Sequence, residues 1–548
     1  MTPSQLFSQR QPTNALFNIP VLLVILVFII NSSGDHVFNK TNTLKLGLLY
    51  IACLVLMVLF FWKQYRYSIQ LQVKASLFAL LLLPILTTIP GLYLSEGKYS
   101  YAFGLEITSQ LLCIIWCFLI FSILNLRVQV YKFWELFSVV ILYVCVIGFL
   151  EKAGVNPLLR LSINPFESYW AGGSIAFNCF SSRIKSTFGN TNYFSAWLIQ
   201  LVPIYVAFSI TKANKPIKHG RVNWIKLSCS IGIVVLLLTS LALTGTRAAI
   251  LASMISIVLF LWGYVWLFTR SSASKVTIQV LVISCLLSGF ILLLNFDFLI
   301  RAQALLNISA WESRLIPWQA AYNSILKAPF FGYGLGSSYQ LFFEFAPPDR
   351  GLLFYGSSFN HVHSEWLEVL QEGGVLGFLG YCVFWLYVFV LGARYAFNKA
   401  NKENDRIIML GLLSGLLAYH VHGLFSVAPR MIVVRSMAYM LVAFVFVLNF
   451  KLNSSGIYSI KSRNISFKVF NPAIIILMIG FSVWLFDYSH EQFEFSKGLA
   501  NEEKSTYSLT ALAMTSEDVY VLDKASYLFA ENNNSKSLEV VSRRLDRV

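Results

Sequence analysis

Two histidines one residue apart, His361 and His363, sit near the end of the longest polar stretch of the chain, Phe296 to Gly374. An imidazole has an unperturbed pKa near neutrality and can take a proton from a hydroxyl or orient it, so either histidine is a candidate general base. Arg301, Arg314 and Arg350 share the stretch. Arginines present forked donors that suit phosphate oxygens. A second His-x-His, His420 and His422, raises the question of a metal site. No carboxylate cluster is evident beside either pair, and His-x-His puts both rings on one face only in an extended segment. The outer loops hold Asp297, Glu312, Glu344 and Asp349 but no Asp-x-Asp pair to hold a divalent ion beside a diphosphate. The sequence therefore predicts chemistry without metal or other cofactor, with arginine supplying positive charge to any phosphorylated substrate.

Three further motifs carry polar residues. Ser182-Arg183-Ile184-Lys185-Ser186-Thr187-Phe188-Gly189-Asn190 leads into an apolar run, so Arg183 and Lys185 are either interfacial cations or phosphate ligands. Thr244-Gly245-Thr246-Arg247 joins two apolar runs through a tight turn. There Arg247 is either a snorkelling side chain or, as preferred here, part of an anion site. Glu312 to Ala321 reads as an amphipathic helix along the membrane surface, with Trp311 and Trp318 suited to the interface. The glycine-rich Pro329 to Gly336 that follows lacks the Gly-Lys-Ser/Thr of a nucleotide loop and reads as a turn. Ser364 is placed to cap a helix starting at Glu365.

The elements that must position these residues are membrane helices. The chain has 57% hydrophobic and only 12% charged residues, and its mean hydropathy is +0.66. A soluble chain is nearer one quarter charged, so this composition excludes an ordinary soluble enzyme. Apolar runs centre near residues 24, 53, 84, 113, 142, 200, 235, 258, 286, 384, 413, 440 and 478. They predict an all-α polytopic membrane protein of about 12–14 transmembrane helices with a large extracytoplasmic loop. The first run has no small-residue cleavage site and reads as a retained helix. Seven of the eight cysteines fall in or beside apolar runs, and only Cys179 sits in a loop, so no disulfide framework is expected.

The net charge of +16 is a matter of topology, not of nucleic acid. Six short loops hold the cations, beginning with Lys63, Arg127, Lys212, Arg270, Arg394 and Lys451. By the positive-inside rule these loops and the amino terminus are cytoplasmic, and the alternate loops face outward. That places 296–374 outside. With an odd number of spans, the polar tail 488–548 lies outside too and reads as a soluble helical segment, while residues 1–487 form the membrane domain.

In this order and spacing, Arg183 to Tyr193, Thr244 to Ile250, Ser313-Arg314 to Trp318, Pro329 to Gly336, and His363 with Glu372-Gly373-Gly374 resemble the O-antigen ligase, O-antigen polymerase and protein O-oligosaccharyltransferase superfamily of bacterial envelope glycosyltransferases. The resemblance covers about residues 170–445. His363-Ser364 stands where the family usually has His-Asn, and Lys185-Ser186 stands at the family's usual Gly before Thr-Phe-Gly-Asn. The resemblance implies a GT-C-like, metal-independent transferase of the bacterial inner membrane with a periplasmic active loop. Its donor would be a glycan on polyprenyl (undecaprenyl) diphosphate. Its acceptor would be a hydroxyl on lipid A core, on another glycan or on a protein, with ligase preferred over polymerase and oligosaccharyltransferase. His363, Arg314 and Arg247 would be catalytic. Arg183, Lys185 and His361 would bind substrate, with His361 the alternative base. The rivals are a flippase or other transporter, which would place ionisable residues in its spans or repeat internally, and a non-catalytic scaffold.

Overall fold

The computed structural model describes residues 49–57, 75–96, 98–124, 127–153, 183–213, 224–268, 308–346 and 361–450. The apolar runs near 24, 286 and 478, the tail, and Arg301 and Arg350 lie outside the described residues. Among those described the protein is all helix. It comprises α1 (Ala75–Leu86), α2 (Ile89–Leu94), α3 (Ser100–Ile123), α4 (Arg127–Lys152), α5 (Thr191–Ala213), α6 (Trp224–Thr244), α7 (Arg247–Phe268), α8 (Ile308–Lys327), α9 (Ser338–Phe345), α10 (Glu365–Phe397), α11 (Glu403–Gly423) and α12 (Ile432–Phe450). Seven of these, α4 to α7 and α10 to α12, have stretches long and apolar enough to cross a membrane. The chain is a polytopic all-α membrane protein, as its composition predicts.

Three helices form the centre. Along their apolar windows α5 and α11 are each 83% buried and α12 is 94% buried, whereas α6 is only 28% buried and faces outward. Between apolar helices in lipid, close approach of small residues replaces the hydrophobic drive available in water. Gly411 and Gly415 of α11 provide that approach: a side chain at Gly415 would strike the carbonyl of Gln200 on α5. Gly415→Leu should therefore force α5 and α11 apart. The expected loss is at least the ~1–3 kcal/mol of an overpacked core, read as a lowered melting temperature of the detergent-purified protein.

The run near residue 84 is not one helix. Pro84 and Pro90 interrupt it, and the hydroxyls of Thr87 and Thr88 bond back to the carbonyls of Leu83 (2.8 Å) and Ile85 (2.7 Å), closing α1 before α2 begins. The bend lies against Gly373, Gly377 and Gly380 of α10, whose missing side chains admit Thr87 and Thr88.

Charged residues gather at the two ends of the bundle. At one end Lys212 pairs with Glu135. The Tyr131 hydroxyl donates to Asp405 at 3.1 Å, and Arg406 stacks on Phe268 at 4.7 Å. Lys226, Arg394, Lys399 and Lys402 belong to the same end. At the other end stand Arg183, Arg247, Arg314 and Arg430, with the histidines of the 361–363 segment.

Candidate active site

The site is built at the start of α10. Ser364 caps the helix, its hydroxyl accepting from the Leu367 amide at 3.5 Å. From there Glu365, Glu368 and Glu372 recur at helical spacing and share one face. All three are buried, at 5%, 1% and 0% exposure. Three buried carboxylates on one face are tolerable only with a cation among them. Arg430 is that cation, delivered by the 3-10 turn Ala428–Arg430 between α11 and α12. Its guanidinium donates to Glu365 Oε2 at 2.9 Å and bidentately to Glu372 at 2.9 and 2.7 Å, and lies 3.3 Å from Glu368. Burial opposes its charge, but the carboxylates outweigh burial and raise its pKa well above the usual arginine range. A second pair, Arg435 with Glu106 at 2.7 Å, joins the first turns of α12 to those of α3.

This corrects the expectation that no carboxylates accompany the histidines. The glutamates are turned toward Arg430, and among the described residues no group of three or more His, Cys, Asp or Glu side chains has a metal-holding arrangement. The signal was present in the sequence: three glutamates at i, i+3 and i+7 opening an apolar helix, and arginines at the start of another.

The glycine-rich segment is a turn, as expected, and it locks onto the break in α10. Gly374 has φ 58° and ψ −162°, and Gly332, Gly334 and Gly336 also have positive φ. At Gly332 a Cβ would collide with the Glu372 carbonyl, so only glycine fits. That carbonyl accepts from the amides of Tyr333 (3.0 Å) and Gly334 (2.8 Å), and the Glu372 carboxylate accepts from the Gly336 amide at 2.8 Å. Glu372 thus ties the turn, α10 and Arg430 together.

The two histidines are treated oppositely. His361 Nδ1 lies 2.8 Å from Glu368 Oε1, whose other oxygen accepts from the Val362 amide at 3.1 Å. Burial disfavours the charged imidazole, but the Glu368 carboxylate outweighs it and the His361 pKa rises. His363 is half-buried and sits at φ 60°, a conformation uncommon for a non-glycine residue. Burial, then the charges of His361 and Arg314, push its pKa down to about 4. His361 is thus held toward the cation and His363 toward the neutral base.

Arg314, half-buried on α8, donates to the Phe425 carbonyl at 2.8 Å, and burial lowers its pKa. It acts electrostatically on both His363 and His422. The helix predicted at 312–321 is thus longer, Ile308–Lys327, with Ile316, Ala320 and Ala321 buried and Leu315, Tyr322 and Leu326 exposed. His420 and His422 are buried in α11. The His420 ring packs against Trp385 (4.4 Å between centroids) and Tyr419 (5.0 Å), and its Nδ1 is 3.3 Å from the Tyr381 hydroxyl. It is a core histidine.

The remaining candidates form a second group. Arg183 donates to the Thr244 carbonyl at 2.6 Å and the Thr246 hydroxyl at 3.1 Å, wrapping the Gly245 turn that starts α7. Arg247, the next residue, is exposed. Lys185 is half-buried, and its amide with that of Ser186 donates to Glu151 at 2.8 and 2.9 Å. The groups are related by helix register. Helices α7 and α11 run antiparallel, with Gly263 beside Leu410 and Phe268 beside Arg406. Carried back along both helices, that register puts Arg247, the first residue of α7, at the end of the bundle where α11 finishes at Gly423. His363 thus feels the charges of both His361 and Arg314, and the Arg183–Arg247 turn stands at the same end of the bundle.

Comparison with known proteins places these residues. No match was found among curated proteins. Residues 232–382 match the family model described as O-antigen ligase, a stretch that includes Arg247, Arg314, both histidines and the three glutamates but neither Arg183 nor Arg430. That match, on an all-helical membrane scaffold, supports a relation of residues 232–382 to the O-antigen ligase and polymerase superfamily, whose members are glycan transferases of ligase and polymerase type.

Proposed function

We propose that the protein is a metal-independent O-antigen-ligase-type glycosyltransferase of the bacterial inner membrane. It moves a glycan from polyprenyl diphosphate to an acceptor hydroxyl at the periplasmic face. The observation that carries this reading is the opposed setting of His361 and His363 beside Arg314. Two nearby titratable groups pushed apart in pKa are the mark of divided acid and base roles. In the reaction the acceptor oxygen attacks the anomeric carbon, the bond from that carbon to the diphosphate oxygen breaks, and the diphosphate leaves with the electron pair. His363 takes the acceptor proton. Arg314, Arg247 and the imidazolium of His361 stabilise the charge that gathers on the leaving group. Arg183 and Lys185 extend the diphosphate-binding side. Periplasmic placement is supported by the lysine- and arginine-rich loops at the opposite end of the bundle.

The test is the glycan profile of a bacterial strain lacking the gene, complemented with wild type or Arg314→Ala. Loss of lipopolysaccharide capping is the expected result. Loss of chain-length ladders would instead mean polymerase, and loss of protein glycosylation would mean oligosaccharyltransferase. Arg314→Ala should lower transfer roughly 10²–10³-fold, as for other charge-stabilising donors. Full transfer in that variant would remove Arg314 from the mechanism.

A further inference from the structure

Beside the glycine-rich turn lies an open cleft of about 510 Å³, whose lining does not include Arg430. That volume is within the ~300–1,000 Å³ of ligand pockets. One wall is the turn itself, with Phe330, Phe331 and Tyr333; the other is formed by Leu94, Ser95, Glu96, Lys98 and Tyr99, between α2 and α3. Its polar floor is Glu344 of α9, which accepts from Lys98 Nζ at 2.6 Å and the Tyr99 hydroxyl at 2.9 Å. The Tyr99 and Tyr333 rings meet edge to face at 6.0 Å, and Phe330 and Phe331 stand exposed at the rim.

We propose that this cleft binds the uncharged sugar rings of the acceptor glycan. The proposal rests on the glycan-transfer reading above and adds a second substrate site to it. Three features select the occupant. The exposed rings of Phe330 and Phe331, on a cleft that also holds a carboxylate and an ammonium, suit pyranose rings, which present C–H faces and hydroxyl edges. The lining carries Lys98 and Lys327 against Glu96 and Glu344, so it exerts no net pull on a phosphate, unlike the arginines of the candidate site. The amides of Val375 and Leu376, which open the apolar run of α10, donate to the carbonyls of Pro329 and Phe330, so the rim sits where that helix meets the membrane surface. An acceptor carried near the bilayer reaches it. The same turn donates its amides to Glu372, which connects the cleft rigidly to the candidate catalytic cluster.

The experiment is photo-crosslinking in cells with p-benzoylphenylalanine in place of Phe331, with a lipid-facing control in place of Trp262 on α7 (51% exposed). Adducts are read by glycan staining and mass spectrometry of the purified full-length protein. A glycan adduct at 331 and none at 262 is expected. It should persist when assembly of the lipid-linked donor is blocked, and Glu344→Ala should reduce it severalfold. Phospholipid adducts alone, or none, would overturn the site. An adduct that disappears with the donor would assign the cleft to the donor and equally overturn the proposal. Because the readout is binding and not turnover, its failure is separable from failure of the transferase reading, which the glycan profile tests.

Discussion

Replacing Arg430 with methionine should destabilise the protein by about 3–5 kcal/mol, the range for removing one partner of a buried ion pair. Methionine has a similar length and keeps the packing, but it leaves the buried Glu365 and Glu372 without the guanidinium that binds them and Glu368 with His361 as its remaining partner. In detergent the expected outcome is a large fall in melting temperature or loss of the folded species altogether. Arg430→Lys should fall between, because one ammonium cannot reproduce the bidentate grip on Glu372 while also reaching Glu365. The double variant Arg430→Met with Glu372→Gln should recover part of the loss, since the amide removes a buried charge while keeping an acceptor for the Gly336 amide. Equal stability of the single and double variants would show that the cluster is not held by charge. The glycine turn gives a second readout. It hangs on the Glu372 carbonyl and carboxylate, so Arg430→Met should open it to proteolysis before the helices unfold.

How much of this was legible in sequence follows the physics of each signal. Membrane helices announce themselves through long apolar runs, and the charged ends of the bundle appear in the loop lysines and arginines. The Ser364 cap and the turn at 329–336 depend on local residue types and were readable too. The break between α1 and α2 was marked by Pro84 and Pro90 but lay inside one apolar run, where hydropathy alone sees a single span. The glutamate–arginine cluster was hidden for a different reason. Glu365, Glu368 and Glu372 are neighbours along one helix, but their partner Arg430 is more than fifty residues away, and only the packing of α10 against the turn before α12 joins them. Periodicity reports which face a residue occupies, not what meets that face. Likewise His361 and His363 are indistinguishable by type and spacing. Glu368 separates them by holding one imidazole.

That separation gives the largest expected catalytic effect. His363→Asn should lower glycan transfer roughly 10²–10⁴-fold, the contribution of a positioned general base. Asparagine is the informative choice because it tolerates the left-handed backbone at φ 60°, so loss of activity is not loss of fold. With its pKa near 4, His363 is neutral and available in the free protein but a weak base. A bound diphosphate beside it brings negative charge, which favours the protonated imidazole and raises its proton affinity as the acceptor gives up its proton. The acid limb of kcat/KM, which reports the free protein, should therefore lie near pH 4, while the acid limb of kcat, which reports the bound complex, should lie higher. His361 works in the opposite direction. Its pKa is raised, so it is charged below that value and loses its charge, and its hold on the leaving group, as pH climbs through it. In Glu368→Gln burial remains and the raising carboxylate is gone, so the alkaline limb should move to lower pH, with activity weakened at pH 7 and restored toward pH 5. An alkaline limb that stays in place in Glu368→Gln would mean that His361 is not the group that titrates there, and the division of labour between the two histidines would fall with it.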